Sequence, residues 1–309
     1  MAKTIAAKGA KGEIVRRIQQ RLTDLGFDPK GVDGKYFGNT VAAVDQFQRS
    51  KGLNPSGQVD VATWQALMGS PIPSVHERSL QLTASFEGHG FSLAQGNFDG
   101  AGITWGIIGF TLKHGELGKI ILEIQNTQPA LVSQAFGDKT AKLLSILAAP
   151  LEQQLAFADS ISQGANKAKL DEPWLWAFEQ FGEMPAVQAV QLRLADQDYF
   201  QPARQAAQRF GLKTELGLAL AFDIHVQNGG VSSEAREQIE YDISEHPPLR
   251  EQELRVVIAN AVADHAKNVA YREDVRSRKL TIATGSGRVH GASYVLDNWG
   301  LDESLAADA

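Results

Sequence analysis

The chain has 309 residues, of which 43% are hydrophobic and 21% charged, a balance typical of a globular protein with a sizeable core. Its formal net charge of −6 disfavours nonspecific binding to nucleic acid or to anionic membranes. The absence of cysteine excludes disulfides, thiolate chemistry and zinc–cysteine sites.

The N-terminal segment lacks the apolar core of a signal peptide. No window reaches the roughly 18 apolar residues that a membrane helix needs. We therefore expect a protein made in the cytoplasm without a Sec signal and without a membrane partner. Action on a target outside the cytoplasm requires release by lysis or a dedicated export machine, and the sequence identifies no delivery or immunity partner.

Residues 8–69 are predicted to form a small domain of three helices, because apolar segments with helical spacing alternate with glycine-containing loops. Two of these loops share one spacing, from Gly34 to Thr40 and from Gly57 to Thr63, and each precedes an apolar helix. This spacing indicates a weak internal repeat. The residues expected in the core of the domain are Leu25, Phe47 and Trp64.

This segment resembles the widespread three-helix peptidoglycan-binding module. The matching pieces are L-G-F, V-D-G, V-x-x-F-Q and the closing T-W-x-x-L. The resemblance implies binding to cell-wall peptidoglycan or its stem peptides, with Asp33 and Tyr36 as exposed candidates for contact. The alternative is that these residues only build the turns and core of a small helical domain.

Residues 70–77 are expected to form a linker, since the stretch is rich in proline and serine. Residues 78–309 should form a second, predominantly helical domain. Strand-like pieces are expected at 103–109 and 279–283, and a flexible surface loop at 283–293. The helices expected are 74–88, 114–127, 129–136, 139–164, 172–182, 184–209, 213–227, 233–242 and 247–269.

Glu87 and Asp99 are two carboxylates in different sequence environments. Glu87 ends an apolar helical run, and an apolar setting favours the protonated form that a general acid needs. Asp99 lies in a polar, glycine-rich loop that favours an ionised base, and the hydroxyl of Thr104 could hold the water it activates. Such a pair is the requirement of glycosidic bond hydrolysis. The alternatives are a solvated helix-end acid and an ordinary turn residue.

The segment DGAGITWGIIGF, residues 99–110, resembles the D-G-x-G-x-T-x-G-I-I-G-F signature of the chitosanases of glycoside hydrolase family 46. That family belongs to the lysozyme-like superfamily, so the resemblance implies a two-lobed, mainly helical catalytic domain. It also implies a general acid at Glu87, a general base at Asp99 and a water-positioning partner at Thr104. At Glu116 the family has an acidic substrate-binding residue, and the alternative is a solvated glutamate at a helix start.

The segment ALAFDIHVQNGG, residues 219–230, resembles the family's buried helix that carries an aspartate, which corresponds to Asp223. Arg255 and Arg278 fall where the family has two arginines. The resemblance implies that these three form a salt-bridge network behind the general acid. A buried carboxylate needs such partners in any case, so a purely structural ion-pair network is the alternative.

These observations predict a glycoside hydrolase that cleaves β-1,4 bonds of peptidoglycan as a muramidase, with inversion if the family's geometry carries over. Glu87 and Asp99 are 12 positions apart, fewer than we expect in true chitosanases, so one wall of the substrate cleft should be shortened. The alternatives are a chitosanase with an accessory wall-binding module and a non-catalytic wall-binding protein.

The scattered histidines predict no metal site, and no cofactor is expected. A phage endolysin and a secreted antibacterial effector both fit.

Overall fold

The structure is a computed structural model that describes residues 2–88, 90–247 and 250–306, and it is predominantly helical over them, as predicted. The α-helices are α1 (Glu13–Asp24), α2 (Gly38–Ser50), α3 (Val61–Met68), α4 (Val75–Glu87), α5 (Glu116–Thr127), α6 (Pro129–Phe136), α7 (Thr140–Leu147), α8 (Leu151–Ser160), α9 (Glu172–Gly182), α10 (Pro185–Ala195), α11 (Gln201–Phe210), α12 (Glu215–Asn228), α13 (Ser233–Glu245), α14 (Glu251–Asp264) and α15 (Arg272–Thr284). The strands are β1 (Thr4–Ala6), β2 (Val59–Asp60), β3 (Ala94–Gln95), β4 (Thr104–Trp105), β5 (Phe110–Thr111), β6 (Ser162–Gln163), β7 (Lys169–Leu170), β8 (Ser286–Val289) and β9 (Ala292–Val295). Among the described helices, none combines the length and apolar character required to cross a membrane.

The chain forms two compact units. The first comprises Met1–Phe86 and Gln197–Ala309, and the second comprises Glu87–Asp196. The three N-terminal helices therefore share a unit with the C-terminal third of the chain. The boundaries at 70 and 78 stay a prediction; α4 begins at Val75, inside the expected linker.

The internal repeat is visible as a repeated hydrogen-bond pattern. Gln19 Oε1 accepts from the N–H of Gly34 at 2.8 Å, and its Nε2 donates to Thr40 Oγ1 at 3.0 Å. Gln48 makes the same two bonds, at 2.9 and 3.0 Å, to Gly57 before α3 and to Thr63 in the first turn of α3. Each glutamine on one helix thus fixes the loop that leads into the next.

The core of this domain differs from the prediction at one position. Phe47 and Trp64 are 0% exposed, as expected. Leu25 is 39% exposed, because it follows the last turn of α1 and lies beyond the apolar face of that helix.

A buried charge cluster joins the N-terminal residues to the start of α12 within the first unit. The Glu215 carboxylate accepts from Lys3 Nζ at 2.7 Å and from the two terminal nitrogens of Arg78 at 2.8 and 2.9 Å. The side chains of Arg78 and Glu215 are only 3% and 6% exposed. The N–H of Ala7 also donates to the carbonyl of Asn298 at 2.9 Å. These contacts join the residues that precede the N-terminal domain to the C-terminal part of the same unit.

The second unit contains an antiparallel sheet in the order β3-β4-β5, in which Thr104 lies opposite Thr111. The neighbouring Trp105 is 0% exposed, and its ring stacks on Phe181 at 5.6 Å. Its Nε1 donates to the carbonyl of Phe178 at 3.0 Å. The central strand is thereby anchored to α9, so the residues around it are held by the core of the unit.

Three predictions of local structure were wrong. The helix expected at 139–164 is broken between α7 and α8, just before a proline. The strand expected at 279–283 lies within α15, where buried basic side chains obscure the helical periodicity. The loop expected at 283–293 contains the β8–β9 hairpin, which turns at His290 and the glycine after it, both with positive φ. Within the helix expected at 247–269, residues 248 and 249 lie outside the described part of the chain.

Candidate active site

Asp99 lies at the exposed tip of the loop between β3 and β4. Its Oδ1 accepts a hydrogen bond from the N–H of Ala101 at 2.9 Å, so the side chain stabilises its own turn. Gly100 and Gly102 in this turn both have φ of +80°, a conformation that glycine adopts without steric cost. The carboxylate is therefore exposed on a loop of defined conformation, which suits contact with water and substrate.

Thr104 is the first residue of β4 and is only 7% exposed. Its Oγ1 has no hydrogen-bond partner among the described residues. A buried hydroxyl normally finds a partner, since leaving it unpaired costs about 1–3 kcal/mol. Thr104 follows Asp99 by five positions in the same loop and strand, so an unsatisfied hydroxyl lies in the segment where a water-positioning group was predicted.

Glu87 is half-buried and is the last residue of α4. Gly88 follows in the left-handed conformation, with φ of +69°. In the first unit, His290 Nδ1 lies 3.1 Å from the carbonyl of Phe86, and the guanidinium of Arg278 lies 5.1 Å from the centre of the Phe86 ring. The helix end that leads into Glu87 is therefore held by specific contacts.

Asp223 lies on α12 as a fully buried carboxylate with two cationic partners. Arg278 Nε donates to both of its oxygens, at 3.1 and 3.0 Å, and Lys279 Nζ donates to Oδ2. Thr83 on α4 donates its hydroxyl to Oδ1 at 2.9 Å. Burial alone raises the pKa of Asp223, but the charges of Arg278 and Lys279 outweigh it and hold the pKa well below its usual range.

The prediction that Arg255 pairs with Asp223 was wrong. Arg255 is fully buried, but it pairs with Glu303, and its Nη1 also lies 3.3 Å from Glu251 Oε1. Lys279 is the second cation on Asp223 instead. The sequence carried no signal that Glu303 contacts Arg255 on α14, and the sequence analysis did not consider Lys279 as a partner of Asp223.

Three other predicted contact residues have structural partners. Tyr36 is 0% exposed and donates its hydroxyl to the carbonyl of Gly57 at 3.0 Å, so the prediction of an exposed contact was wrong. Asp33 is exposed, and its Oδ1 accepts from Gln19 and from the N–H of Lys35, both at 2.9 Å; these bonds lower its pKa. Glu116 opens α5 and accepts from the N–H of Thr111 at 3.1 Å.

Glu87, Asp99 and Thr104 all belong to the second unit, whereas Asp223 and Arg278 belong to the first. Across the described residues, no group of histidine and carboxylate side chains could hold a metal ion. His89, one of the scattered histidines, lies outside those residues. Two carboxylates and an unsatisfied hydroxyl are the groups that the predicted two-carboxylate hydrolysis requires.

Sequence reasoning missed two residues of this region. Lys279 is buried against Asp223, and its only sequence signal was a basic residue directly after Arg278. Asn97 precedes Asp99 by two positions and hydrogen-bonds across the loop. In the sequence, Asn97 is only an amide residue in a glycine-rich segment. Such a residue is too common to indicate a role.

Comparison with known proteins gives matches to both parts of the chain. Residues 11–67 match the family model of a peptidoglycan binding domain. The N-acetylmuramoyl-L-alanine amidase CwlL of Bacillus licheniformis is 44% identical over 66 residues, which are 21% of this chain and 18% of that protein. The chain thus spans less than a fifth of the length of this relative.

Two crystal structures of a chitosanase from Bacillus subtilis MY002 share the fold. A mutant complexed with six GlcN has a TM-score of 0.53 and 17% identity over 74% of this chain and 100% of that chain. The native enzyme has a TM-score of 0.51 and 19% identity over 74% and 98%. Residues 81–248 match the model of glycosyl hydrolase family 46, which confirms the resemblance drawn from residues 99–110. The match covers more than half of the chain, and the protein therefore belongs to glycosyl hydrolase family 46 and is a glycoside hydrolase.

Proposed function

We propose that this hydrolase cleaves the β-1,4 bonds of the peptidoglycan glycan as a muramidase. The observation that carries the proposal is the peptidoglycan-binding match over residues 11–67, in a domain that packs within the same unit as residues 197–309. A domain built into the enzyme in this way is a direct indication of the polymer on which it works. Peptidoglycan is then both the polymer bound and the polymer cut.

In the proposed reaction, Glu87 protonates the leaving glycosidic oxygen. Asp99 removes a proton from the attacking water, and the free hydroxyl of Thr104 holds that water. The support from the chain is the position of Glu87 at the end of α4, the presentation of Asp99 at an exposed loop tip and the unsatisfied hydroxyl of Thr104 five positions later in the same segment. Attack by water opposite the leaving group inverts the anomeric centre, and NMR of the first product anomer tests this outcome.

A chitosanase is the second candidate. It is favoured by the chitosanase neighbours of the fold and by the net charge of −6, which suits a cationic polymer. In that case the N-terminal domain is an accessory anchor. The match of residues 11–67 to the peptidoglycan-binding model is the more specific observation, because the likeness to the chitosanases is below 20% identity.

Parallel digestion separates the two candidates. Purified peptidoglycan and chitosan are each treated with the enzyme and with a Glu87→Gln control, and the products are analysed by mass spectrometry. Disaccharide muropeptides with reducing N-acetylmuramic acid ends, absent in the control, support the muramidase. Glucosamine oligomers together with intact peptidoglycan support the chitosanase.

We also propose that the enzyme acts on the wall in the periplasm or outside the cell, after lysis or dedicated export. The wall-binding match supports this location, because peptidoglycan is absent from the cytoplasm. Both an endolysin and a secreted antibacterial effector fit. Adding the purified enzyme to intact and to permeabilised cells tests the proposal: lysis only after permeabilisation supports delivery by a separate machine.

A further inference from the structure

The loop that presents Asp99 is exposed at its tip but held at its base. Asn97, two positions earlier, is half-buried and forms three hydrogen bonds with three different partners. Its Oδ1 accepts from the N–H of Gly102 at 2.9 Å. This bond joins the residue two positions before Asp99 to the residue three positions after it, and so closes the loop around the carboxylate.

The other two bonds of Asn97 attach the loop to α8 and β6. Its N–H donates to Ser162 Oγ at 2.9 Å, and its Nδ2 donates to Asp159 Oδ1 at 3.2 Å. Ser162 in turn donates its hydroxyl to the carbonyl of Ala158 at 2.6 Å. Both acceptors of Asn97 are therefore fixed to the end of α8.

Asp159 is itself held by a second partner. Lys167 Nζ donates to both of its carboxylate oxygens, and the bonds from Lys167 and then Asn97 lower the pKa of Asp159 below its usual value. The N–H of Gly96 donates to the carbonyl of Ala168 at 3.0 Å, and a Cβ at Gly96 would collide with the carbonyl of Lys167. The base of the loop thus lies directly against the β6–β7 hairpin.

Asparagine has the chemistry that these contacts require. One end of its amide accepts from a backbone N–H while the other donates to a carboxylate. Alanine removes both bonds, and aspartate keeps the first but directs a second carboxylate at Asp159. The contacts therefore select an amide at position 97.

We propose that Asn97 is a positioning residue for Asp99, and that it fixes the loop so that the carboxylate meets the attacking water in a productive orientation. The proposal rests on the proposed role of Asp99 as general base. A carboxylate displaced by about 1 Å is expected to lower the rate of the chemical step by roughly 100-fold, even when substrate still binds. Asn97 acts through Asp99 and touches no reacting atom.

The test compares Asn97→Ala with Asn166→Ala, a matched control in the turn of the same hairpin, whose side chain accepts a single hydrogen bond among the described residues, from the N–H of Ala168 at 3.3 Å. Both full-length variants are assayed on whichever polymer the unaltered enzyme cleaves, peptidoglycan or chitosan. For Asn97→Ala we expect kcat to fall roughly 10- to 100-fold with KM changed by less than about threefold. For Asn166→Ala we expect both constants to stay unchanged.

The second test is a swap that exchanges the amide and the carboxylate between positions 97 and 159. It separates a positioning role of Asn97 from a general loss of structure. Asn97→Asp alone should lower kcat because two carboxylates face each other. Combining it with Asp159→Asn restores one donor and one acceptor in reversed positions, and should recover most of the lost kcat. A fall in kcat that the swap leaves unrecovered would overturn the proposal.

Asp99→Asn distinguishes failure of this inference from failure of the proposed function. Full activity of Asp99→Asn means that Asp99 is not the general base, and the role of Asn97 falls with it. An inactive Asp99→Asn together with a fully active Asn97→Ala leaves the proposed function intact and refutes the positioning role alone.

Discussion

Lys279 Nζ donates to the carboxylate of Asp223 in the core of the first unit, and neither side chain is exposed to solvent. Arg278 binds the same carboxylate, so two buried cations share one buried anion. Removing the anion leaves both cations without their shared carboxylate, which is far more costly than losing an exposed pair. The stability of this region therefore depends on the ionised form of Asp223.

Asp223→Asn should lower the free energy of unfolding by about 3–5 kcal/mol at pH 7. Urea denaturation followed by circular dichroism measures the change. The matched control is Asp138→Asn, which removes an exposed aspartate paired with Lys139 and should leave the unfolding midpoint unchanged. Equal midpoints for Asp223→Asn and the control would refute the dependence.

The ion pair of Asp223 with Lys279 also predicts how the stability difference between the unaltered protein and Asp223→Asn varies with pH. The pKa of Asp223 is held low in the folded state, where burial alone raises it but the cations outweigh burial. Its contribution is therefore fully present above the unfolded pKa of about 3.9, and is lost as pH falls below that value through the lower folded pKa. The difference in unfolding free energy between the unaltered protein and Asp223→Asn should be constant from pH 7 to pH 5 and should shrink toward pH 3. Growth of the difference on acidification would contradict the assignment.

The buried charges also show how much of this ion-pair network could be predicted from the sequence. A carboxylate inside an apolar helical run must be paired, so the existence of a network around Asp223 was predictable. The second of its two cations was not, because Arg255 and Lys279 are both buried cations and only the folded chain decides which one reaches Asp223. Arg255 was assigned wrongly because nothing in the sequence distinguishes Glu303, its actual partner, from the other carboxylates of the chain.

The roles of the candidate catalytic residues stay a prediction, and that prediction rests on a different kind of observation. Asp99 and Thr104 belong to one short segment whose spacing is a property of the sequence itself. Burial of an individual side chain is a property of packing, and Tyr36 shows the difference: it lies in a polar turn segment, yet its ring is fully enclosed. Helix α15 was missed because Arg278 and Lys279 occupy core positions that are normally apolar.

Thr104→Val should separate catalysis from stability. Valine has nearly the shape of threonine, and the hydroxyl it removes is buried without a partner among the described residues. The free energy of unfolding should therefore stay the same or rise by about 1 kcal/mol, since an unsatisfied polar group is lost. If the hydroxyl holds the attacking water, kcat should fall roughly 10-fold or more while KM changes little.

Thr104→Ser is the control for this prediction, because serine keeps the hydroxyl and should retain most of kcat. Calorimetric unfolding and polymer-cleavage kinetics on the three proteins provide both readouts. A Thr104→Val enzyme with undiminished kcat would remove Thr104 from the proposed mechanism.

The internal repeat of the N-terminal domain predicts a stabilising substitution. Asp60 is the N-cap of α3 and accepts from the N–H of Thr63 at 2.8 Å. The equivalent N-cap of α2 is Phe37, which is 46% exposed and supplies no side-chain cap. Both cap residues have extended backbone, so an aspartate at position 37 should reach the N–H of Thr40.

Phe37→Asp should therefore raise the free energy of unfolding by about 0.5–2 kcal/mol, the usual contribution of an N-cap side chain. Asp60→Ala is the converse change and should lower it by a similar amount. Thermal unfolding followed by circular dichroism measures both changes. A Phe37→Asp protein less stable than the parent would mean that the exposed ring contributes more to packing than the missing cap costs, and that the two repeats are not equivalent at this position.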